Sequence, residues 1–147
     1  GQGSPTRLVC INLDKEGLLE WFHIPEDLFD DGWMPTGTPV AEGEQLFVPL
    51  VKTEPLVELA VACLRRKDGT LVWQQTVGQA LREALEGRVE LGHQLLTLAD
   101  GRVYYSTDFG GVAALETGTG RIAWVVTYPS TDREAVARSD EQAVGLF

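Results

Sequence analysis

The segment Gly118-Thr119-Gly120-Arg121-Ile122-Ala123 has the G-x-G-x-x-(G/A) spacing of a loop that cradles a dinucleotide pyrophosphate on backbone N–H groups. A second candidate is the acidic run Glu26, Asp27, Asp30 and Asp31, with Gly32 following, since a hard cation such as calcium wants several oxygen ligands. The imidazoles are His23 and His93, and the thiols are Cys10 and Cys63. No H-E-x-x-H and no G-x-S-x-G occurs, so no metalloprotease helix or nucleophile elbow is encoded.

Each candidate meets a physical objection. A pyrophosphate loop must open a helix, yet the glycines here lead into Ile122-Ala123-Trp124-Val125-Val126-Thr127-Tyr128, a β-type run. The acids lack the D-x-(D/N)-x-(D/N)-G order and read as a solvated turn. The cysteines form no C-x-x-C and read as small buried apolar residues. The histidines read as structural or solvent-facing. Asp68-Gly69 and Asp100-Gly101 read as hairpin turns.

The glycine loop belongs instead to a repeat. Trp21, Trp73 and Trp124 are 52 and 51 residues apart, and each follows a glycine by four positions: Gly17, Gly69 and Gly120. Apolar runs precede the glycines, clearest in Val61-Ala62-Cys63-Leu64 and Val112-Ala113-Ala114-Leu115. Leucine stands five before glycine in the last two copies and, as Leu13, four before in the first, which predicts a first turn one residue shorter. Upstream, Pro39–Val51 and Leu96–Asp108 share a second pattern of apolar run, acidic-Gly turn and aromatic-rich run. The whole unit is four short β-type runs in about 50 residues, the period of a β-propeller blade.

Four residues along a strand is an even step, so each glycine and its tryptophan are expected on one sheet face, with Leu71 and Ile122 beside them. Glycine supplies the positive φ that the turn demands. Ala114 or Cys63 on the neighbouring strand leaves room for a ring. Burying an indole removes about 150–250 Å² from water, an upper bound of roughly 4–6 kcal/mol. One such wedge per unit would be a main fastener between sheets.

The expected organisation is all-β: a partial β-propeller with two four-stranded antiparallel blades plus half of a preceding blade. Residues 1–24 would hold that half, with strands at 7–13 and 18–24. Residues 25–77 would hold an acidic connector (25–35) and a blade with strands at 38–42, 45–51, 58–64 and 70–77. Residues 78–127 would hold a connector with a short helix around Leu81, Ala84 and Leu85, then strands at 94–99, 102–107, 111–116 and 121–127. Residues 128–147 would be a linker or the start of a further blade. Closed propellers have about 4–8 blades, so the chain reads as a segment of a longer protein. Trp33, outside the repeat, reads as either a connector anchor or part of a face, and is grouped with Glu26, Asp27, Asp30 and Asp31 as a candidate contact loop.

Composition narrows the partners. Net charge is −10, against the basic footprint nucleic acid requires and unsuited to an anionic membrane surface. Residues 14–44 carry nine acids against Lys15 alone, a region that reads first as solvated loop and that would otherwise suit a basic partner or a cation. No apolar run is long enough to span a membrane.

The pattern A-L-x-x-x-x-G-x-x-x-W, met in full at Ala114-Leu115 to Gly120 and Trp124, resembles the PQQ-like (pyrroloquinoline-quinone-type) β-propeller repeats of the quinoprotein alcohol dehydrogenase-like family. Asp100–Pro129 matches nearly throughout, Gly37–Leu50 with Ala60–Gln75 matches around a longer loop, and Leu8–Trp21 matches only the last two strands of a unit. The resemblance implies that Gly17, Trp21, Gly69, Trp73, Ala114, Gly120 and Trp124 are structural repeat residues of a tryptophan-docking motif. Enzymatic members hold PQQ at the propeller axis between a tryptophan and two adjacent cysteines, with calcium and a catalytic aspartate. No adjacent cysteine pair occurs here, so no catalytic, cofactor-binding or metal residue is assigned.

The expectation is a non-catalytic binding or scaffolding platform for protein partners, contacting them through 25–35, 52–58 and 78–92 and joined to the remaining blades of the same propeller. One alternative is a fragment of a PQQ-dependent dehydrogenase, with PQQ and calcium on other blades. Another is a glycan or small-ligand binder at the axial channel. The resemblance implies a periplasmic or cell-surface location.

Overall fold

A computed structural model describes residues 7–30, 32–80, 94–107 and 110–128. Three antiparallel sheets follow one another along the chain. The first pairs β1 (Leu8–Asn12) with β2 (Leu18–His23). After a four-residue helix, α1 (Pro25–Leu28), the second contains β3 (Trp33–Pro35), β4 (Val40–Glu42), β5 (Gln45–Lys52), β6 (Val57–Arg65) and β7 (Leu71–Ala80). The third runs β8 (Leu95–Ala99), β9 (Arg102–Thr107), β10 (Gly111–Glu116) and β11 (Ile122–Thr127) in simple meander order. This is the architecture of a partial β-propeller. The expected helix around Leu81, Ala84 and Leu85, residue His93 and the segment after Tyr128 lie outside the described residues.

The second sheet has five strands rather than four because its innermost position is shared. β4 pairs with Gln45–Phe47 and β3 with Leu50–Lys52, both along the same edge of β5. Between them Thr36 N donates to the Pro49 carbonyl, at 2.9 Å. A residue's N–H and C=O point to the same side of a strand, so the N–H that Pro49 lacks would have faced this interruption. The proline therefore costs no bond to β6.

Alternation along β6 builds two cores from one strand. Val57, Leu59, Val61 and Cys63 face one way and join Phe47, Val51 and Val77 against Leu96, Val103, Tyr105, Ala113 and Leu115 of the third sheet. Ala60, Ala62 and Leu64 face the other way and join Val48 and Leu50, with Leu8 of the first sheet packed against them. A sheet sandwiched on both faces needs apolar side chains at odd and even positions alike, hence the unbroken apolar run of β6. Buried Tyr105 keeps its hydroxyl satisfied by donating to Gln94 Oε1.

The connector at residues 25–35 keeps Glu26, Asp27 and Asp30 in solvent but is anchored by buried side chains. Phe29 and Trp33 are 5% and 7% exposed and belong to the core on the first-sheet side of β5 and β6. Of the two readings of Trp33, connector anchor or part of a contact face, its burial supports the anchor: it lies on strand β3 in one core cluster with Ala60 and Ala62. Burying so large an apolar ring outweighs the polar character of its sequence neighbours.

Each of the last hairpins carries a β-bulge at the same place. The cross-strand partners are Cys10↔Trp21 but Ile11↔Leu19, Cys63↔Trp73 but Leu64↔Leu71, and Ala114↔Trp124 but Leu115↔Ile122. The extra residue is Glu20, Val72 or Ala123, always the one before tryptophan. A bulge resets the alternation. Leu71 and Ile122 therefore lie on the face opposite their tryptophans, overturning the even-step expectation. Ile122 packs into the core with Leu115, whereas Trp124 lies on the far face with Ala114.

The register also corrects the first turn. Ile11, not Leu13, holds the place of Leu64 and Leu115, and Leu13 sits 81% exposed in the turn itself. Asn12 pairs with Leu18 across five residues, whereas Arg65 N bonds Thr70 O and Glu116 N bonds Arg121 O across four. The first turn is one residue longer, not shorter. Glu16 and Gly17, at φ 56° and 82°, accommodate the insertion.

Candidate functional site

The repeat glycines and tryptophans meet between sheets, each tryptophan against the glycine of the next unit. Trp21 lies on Gly69: a Cβ there would fall 2.7 Å from its Cε3 and 2.7 Å from Cδ2 of His23. Trp73 lies on Gly120 in the same way, with Cε3 2.5 Å and Cδ2 2.6 Å from the position of a Cβ. No side chain fits in either place. Both glycines also hold positive φ, 72° and 74°, so backbone and packing demand the same residue.

The polar end of each indole is served by the same turn. Trp21 Nε1 donates to the Arg66 carbonyl at 3.0 Å and Trp73 Nε1 to the Thr117 carbonyl at 3.0 Å, each three residues before the receiving glycine. The turns are rigid. Gly69 N bonds Arg65 O at 2.7 Å and Gly120 N bonds Glu116 O at 2.9 Å. Each is also tied to the first turn of its own sheet: Arg66 N donates to Glu44 O and Thr117 N to Gly101 O. Ring meets glycine, N–H meets carbonyl, and the two contacts fix both position and rotation of one sheet against the next.

Neighbouring residues individualise the two joints. At the first, His23 Nε2 lies 2.8 Å from the Asp68 carbonyl, which can only accept, so the hydrogen sits on Nε2. The imidazole also rests 5.5 Å from the Trp21 ring, centroid to centroid. At the second, Gln45 Nε2 donates to the same Thr117 carbonyl at 2.8 Å, giving that oxygen two donors. Phe47 supports the Trp73 ring at 5.9 Å.

Two turn carboxylates titrate below their ordinary range. Asp68 accepts from the hydroxyl and the backbone N–H of Thr70, and these bonds hold its pKa down. Glu116 is held down by the hydrogen bond from Arg121, 3.0 Å away, and by that guanidinium's charge. Burial pushes the Cys63 thiol up, against a smaller opposing bond from Gln45. Cys63 is fully buried beside Trp73 on the paired strand, while Cys10, in the corresponding place beside Trp21, is only partly covered.

Trp124 differs from its counterparts. It is 39% exposed, flanked by Tyr104 at 5.9 Å, and its indole N–H has no acceptor among the described residues. On the first sheet Gly17 has nothing within 4 Å of its Cβ position among the described residues. Sequence reasoning found these residues but missed their partners. It paired each glycine with its own tryptophan, and only the bulge reveals that they serve different neighbours.

The acidic candidates stay at the surface. Glu26 and Asp27 lie exposed in the first turn of α1, and Asp30 is exposed just beyond it; Asp31 lies outside the described residues. Beneath them Pro25, Phe29 and Trp33 are buried, so the carboxylates stand on a fixed base. Among the described residues no group of three or more His, Cys, Asp or Glu side chains is arranged to hold a metal ion.

A family model described as outer membrane protein assembly factor BamB matches residues 26–145. No curated protein matches the chain. Among solved structures, BamB from Moraxella catarrhalis is similar at 15% identity and a TM-score of 0.48, over 75% of this chain and 28% of that one. The chain thus spans little more than a quarter of that relative's length.

Proposed function

The chain belongs to the PQQ-like repeat family described as outer membrane protein assembly factor BamB, and from that membership we propose that it is a propeller segment serving as a non-catalytic platform for protein partners. One observation carries the reading: the residues that define the repeat are engaged in holding sheet to sheet. Trp21 on Gly69 and Trp73 on Gly120 act as docking joints that make the stack rigid. The connecting segments at its rim are then free to differ in sequence and carry recognition. The best-founded of these is the acidic segment around α1, where Glu26, Asp27 and Asp30 face solvent above Phe29 and Trp33. Its charge suits a basic patch on a partner and would speed encounter. The family's outer-membrane description supports a periplasmic or cell-surface location, and no helix among the described residues is long and apolar enough to cross a membrane.

Two measurements test the proposal. Cross-linking with mass spectrometry on the full-length protein in cells should recover protein contacts at the α1 segment that disappear in the Glu26→Lys, Asp27→Lys, Asp30→Lys variant. Dye-linked oxidation of alcohols or sugars with added PQQ and Ca²⁺ should give no turnover above background. Robust turnover would overturn the platform reading in favour of a quinoprotein dehydrogenase.

A further inference from the structure

The turn between β6 and β7 carries three consecutive cations, Arg65, Arg66 and Lys67, in a chain with a net charge of −10. All three side chains are exposed. The turn belongs to the second sheet, whose two faces are both packed by described neighbours.

The repeat supplies an internal control. The third sheet's turn, from Glu116 to Gly120, does the same structural work with Thr117 in the place of Arg66 and Gly118 in the place of Lys67. Arg66 and Thr117 each present a carbonyl to an incoming indole. Each also ties back to the first turn of its sheet, Arg66 Nη1 to Gly43 O at 3.3 Å and Thr117 Oγ1 to Gly101 O at 3.1 Å. A hydroxyl and a glycine therefore suffice for the joint, which needs none of the three positive charges. Nor are they neutralised. Arg121 lies 3.0 Å from Glu116, whereas Arg65 reaches Asp68 only at 3.9 Å, and Arg66 and Lys67 meet no carboxylate among the described residues. Adjacent like charges repel, and an anion brought to them relieves that repulsion.

The surroundings set the class of anion. Glu42 and Glu44 stand exposed in the adjoining turn, which Arg66 holds through both its backbone N–H and its guanidinium. The cations form an island beside acids. An anionic membrane or a nucleic acid laid across it would meet those acids within a Debye length of about 8 Å. A carboxylate on a protein loop can reach the island alone, and a guanidinium receives it in a two-pronged fork.

We propose that the Arg65–Lys67 turn is a second contact of the platform and receives an acidic segment of the partner protein. It rests on the platform reading and adds an orientation to it. Trp33, at the end of the acidic α1 segment, pairs with Lys52, whereas Arg65 pairs with Gln45. The two contacts thus stand at opposite ends of β5, seven residues or about 23 Å apart. A partner bearing a basic patch and an acidic segment at that spacing seats one way round, and a partner of uniform sign is repelled at one contact.

Fluorescence anisotropy on the full-length protein tests this with a labelled decapeptide of alternating Glu and Gly. The peptide should bind, less tightly as salt rises from about 50 to about 300 mM. Its Gln–Gly counterpart should not bind. Lys67→Gln, whose side chain bonds nothing among the described residues, should weaken binding about threefold, and the triple variant with Arg65→Gln and Arg66→Thr about tenfold or more. Arg66→Thr borrows the hydroxyl of Thr117, and an unchanged melting temperature shows that the turn is intact. Equal binding of the two peptides, or affinity that survives these substitutions, would overturn the proposal. So would tighter binding to phosphatidylglycerol vesicles that the same substitutions abolish, which assigns the turn to an anionic surface. The Glu26→Lys, Asp27→Lys, Asp30→Lys variant should keep its hold on the peptide, so a failure at this turn and a failure of the α1 contact are read apart.

Discussion

Two unrelated demands coincide at Gly120, and substitutions at other glycines separate them. At Gly118 φ is ordinary and nothing lies within 4 Å of the Cβ position, so Gly118→Ala should leave stability within about 0.5 kcal/mol. At Gly101 φ is 73° in open space, so alanine should cost only the left-handed strain, about 1–2 kcal/mol. At Gly120 the same strain is joined by collision with Trp73, and Gly120→Ala should cost more than about 3 kcal/mol in urea unfolding. Equal losses at Gly101 and Gly120 would show that Trp73 yields and the joint is loose. The thiols offer a second check. Burial disfavours the Cys63 thiolate, so at pH 8 a thiol reagent should label Cys10 readily and Cys63 only at the rate of unfolding. Asp68 and Glu116 have folded pKa values below the usual carboxylate range of about 4. Their contribution is therefore complete above that range and is lost as pH falls through the depressed values, so Asp68→Asn with Glu116→Gln should flatten the acid limb of the stability curve. Both groups are exposed and the effect should be small.

At the scale of the strand, the residue before each tryptophan decides what the tryptophan touches. Removing Val72 would restore strict alternation in β7 and turn Trp73 toward the Leu64 face, away from Gly120. The deletion should abolish cooperative unfolding, seen as loss of a calorimetric transition. Deleting Glu44, in a turn between two strands, should be milder despite removing the same number of atoms from the backbone. The period of 52 and 51 residues, the four-run unit and the repeat positions of Trp21, Trp73 and Trp124 were legible in the sequence, because apolar runs and turn residues are local signals. The bulge was not: Glu20, Val72 and Ala123 share no property that marks an extra residue, and counting by twos across it gives the wrong face. Trp33 left two readings open, connector anchor or part of a face, for a related reason. Its acidic neighbours dominate the local composition, while Ala60 and Ala62, which share its core cluster, lie nearly 30 positions away. The first turn misled because Leu13 mimics the repeat leucine, whereas the structural equivalent, Ile11, is set by pairing.

Stability should be distributed unevenly over the stack as a whole. Among the described residues β5 and β6 are covered on both faces, while the first sheet has two strands and one face against which nothing described packs. Native-state hydrogen exchange should therefore find the slowest amides in β6, at the global unfolding free energy, and the fastest paired amides in β1 and β2. Uniform protection across the sheets would contradict this gradient. Trp124→Ala, at a partly exposed ring, should change stability by less than about 1 kcal/mol, whereas Trp73→Ala should cost about 3–5 kcal/mol. The bulge before tryptophan gives this stack a direction. Because it turns the indole away from the side its own glycine serves, each period has a giving side and a receiving side, like a link with a hook and an eye. Such a chain can be lengthened or shortened by whole periods without altering any existing contact. A duplication or loss of any other length would leave hook facing hook, so change in the number of units should proceed in steps of about fifty residues.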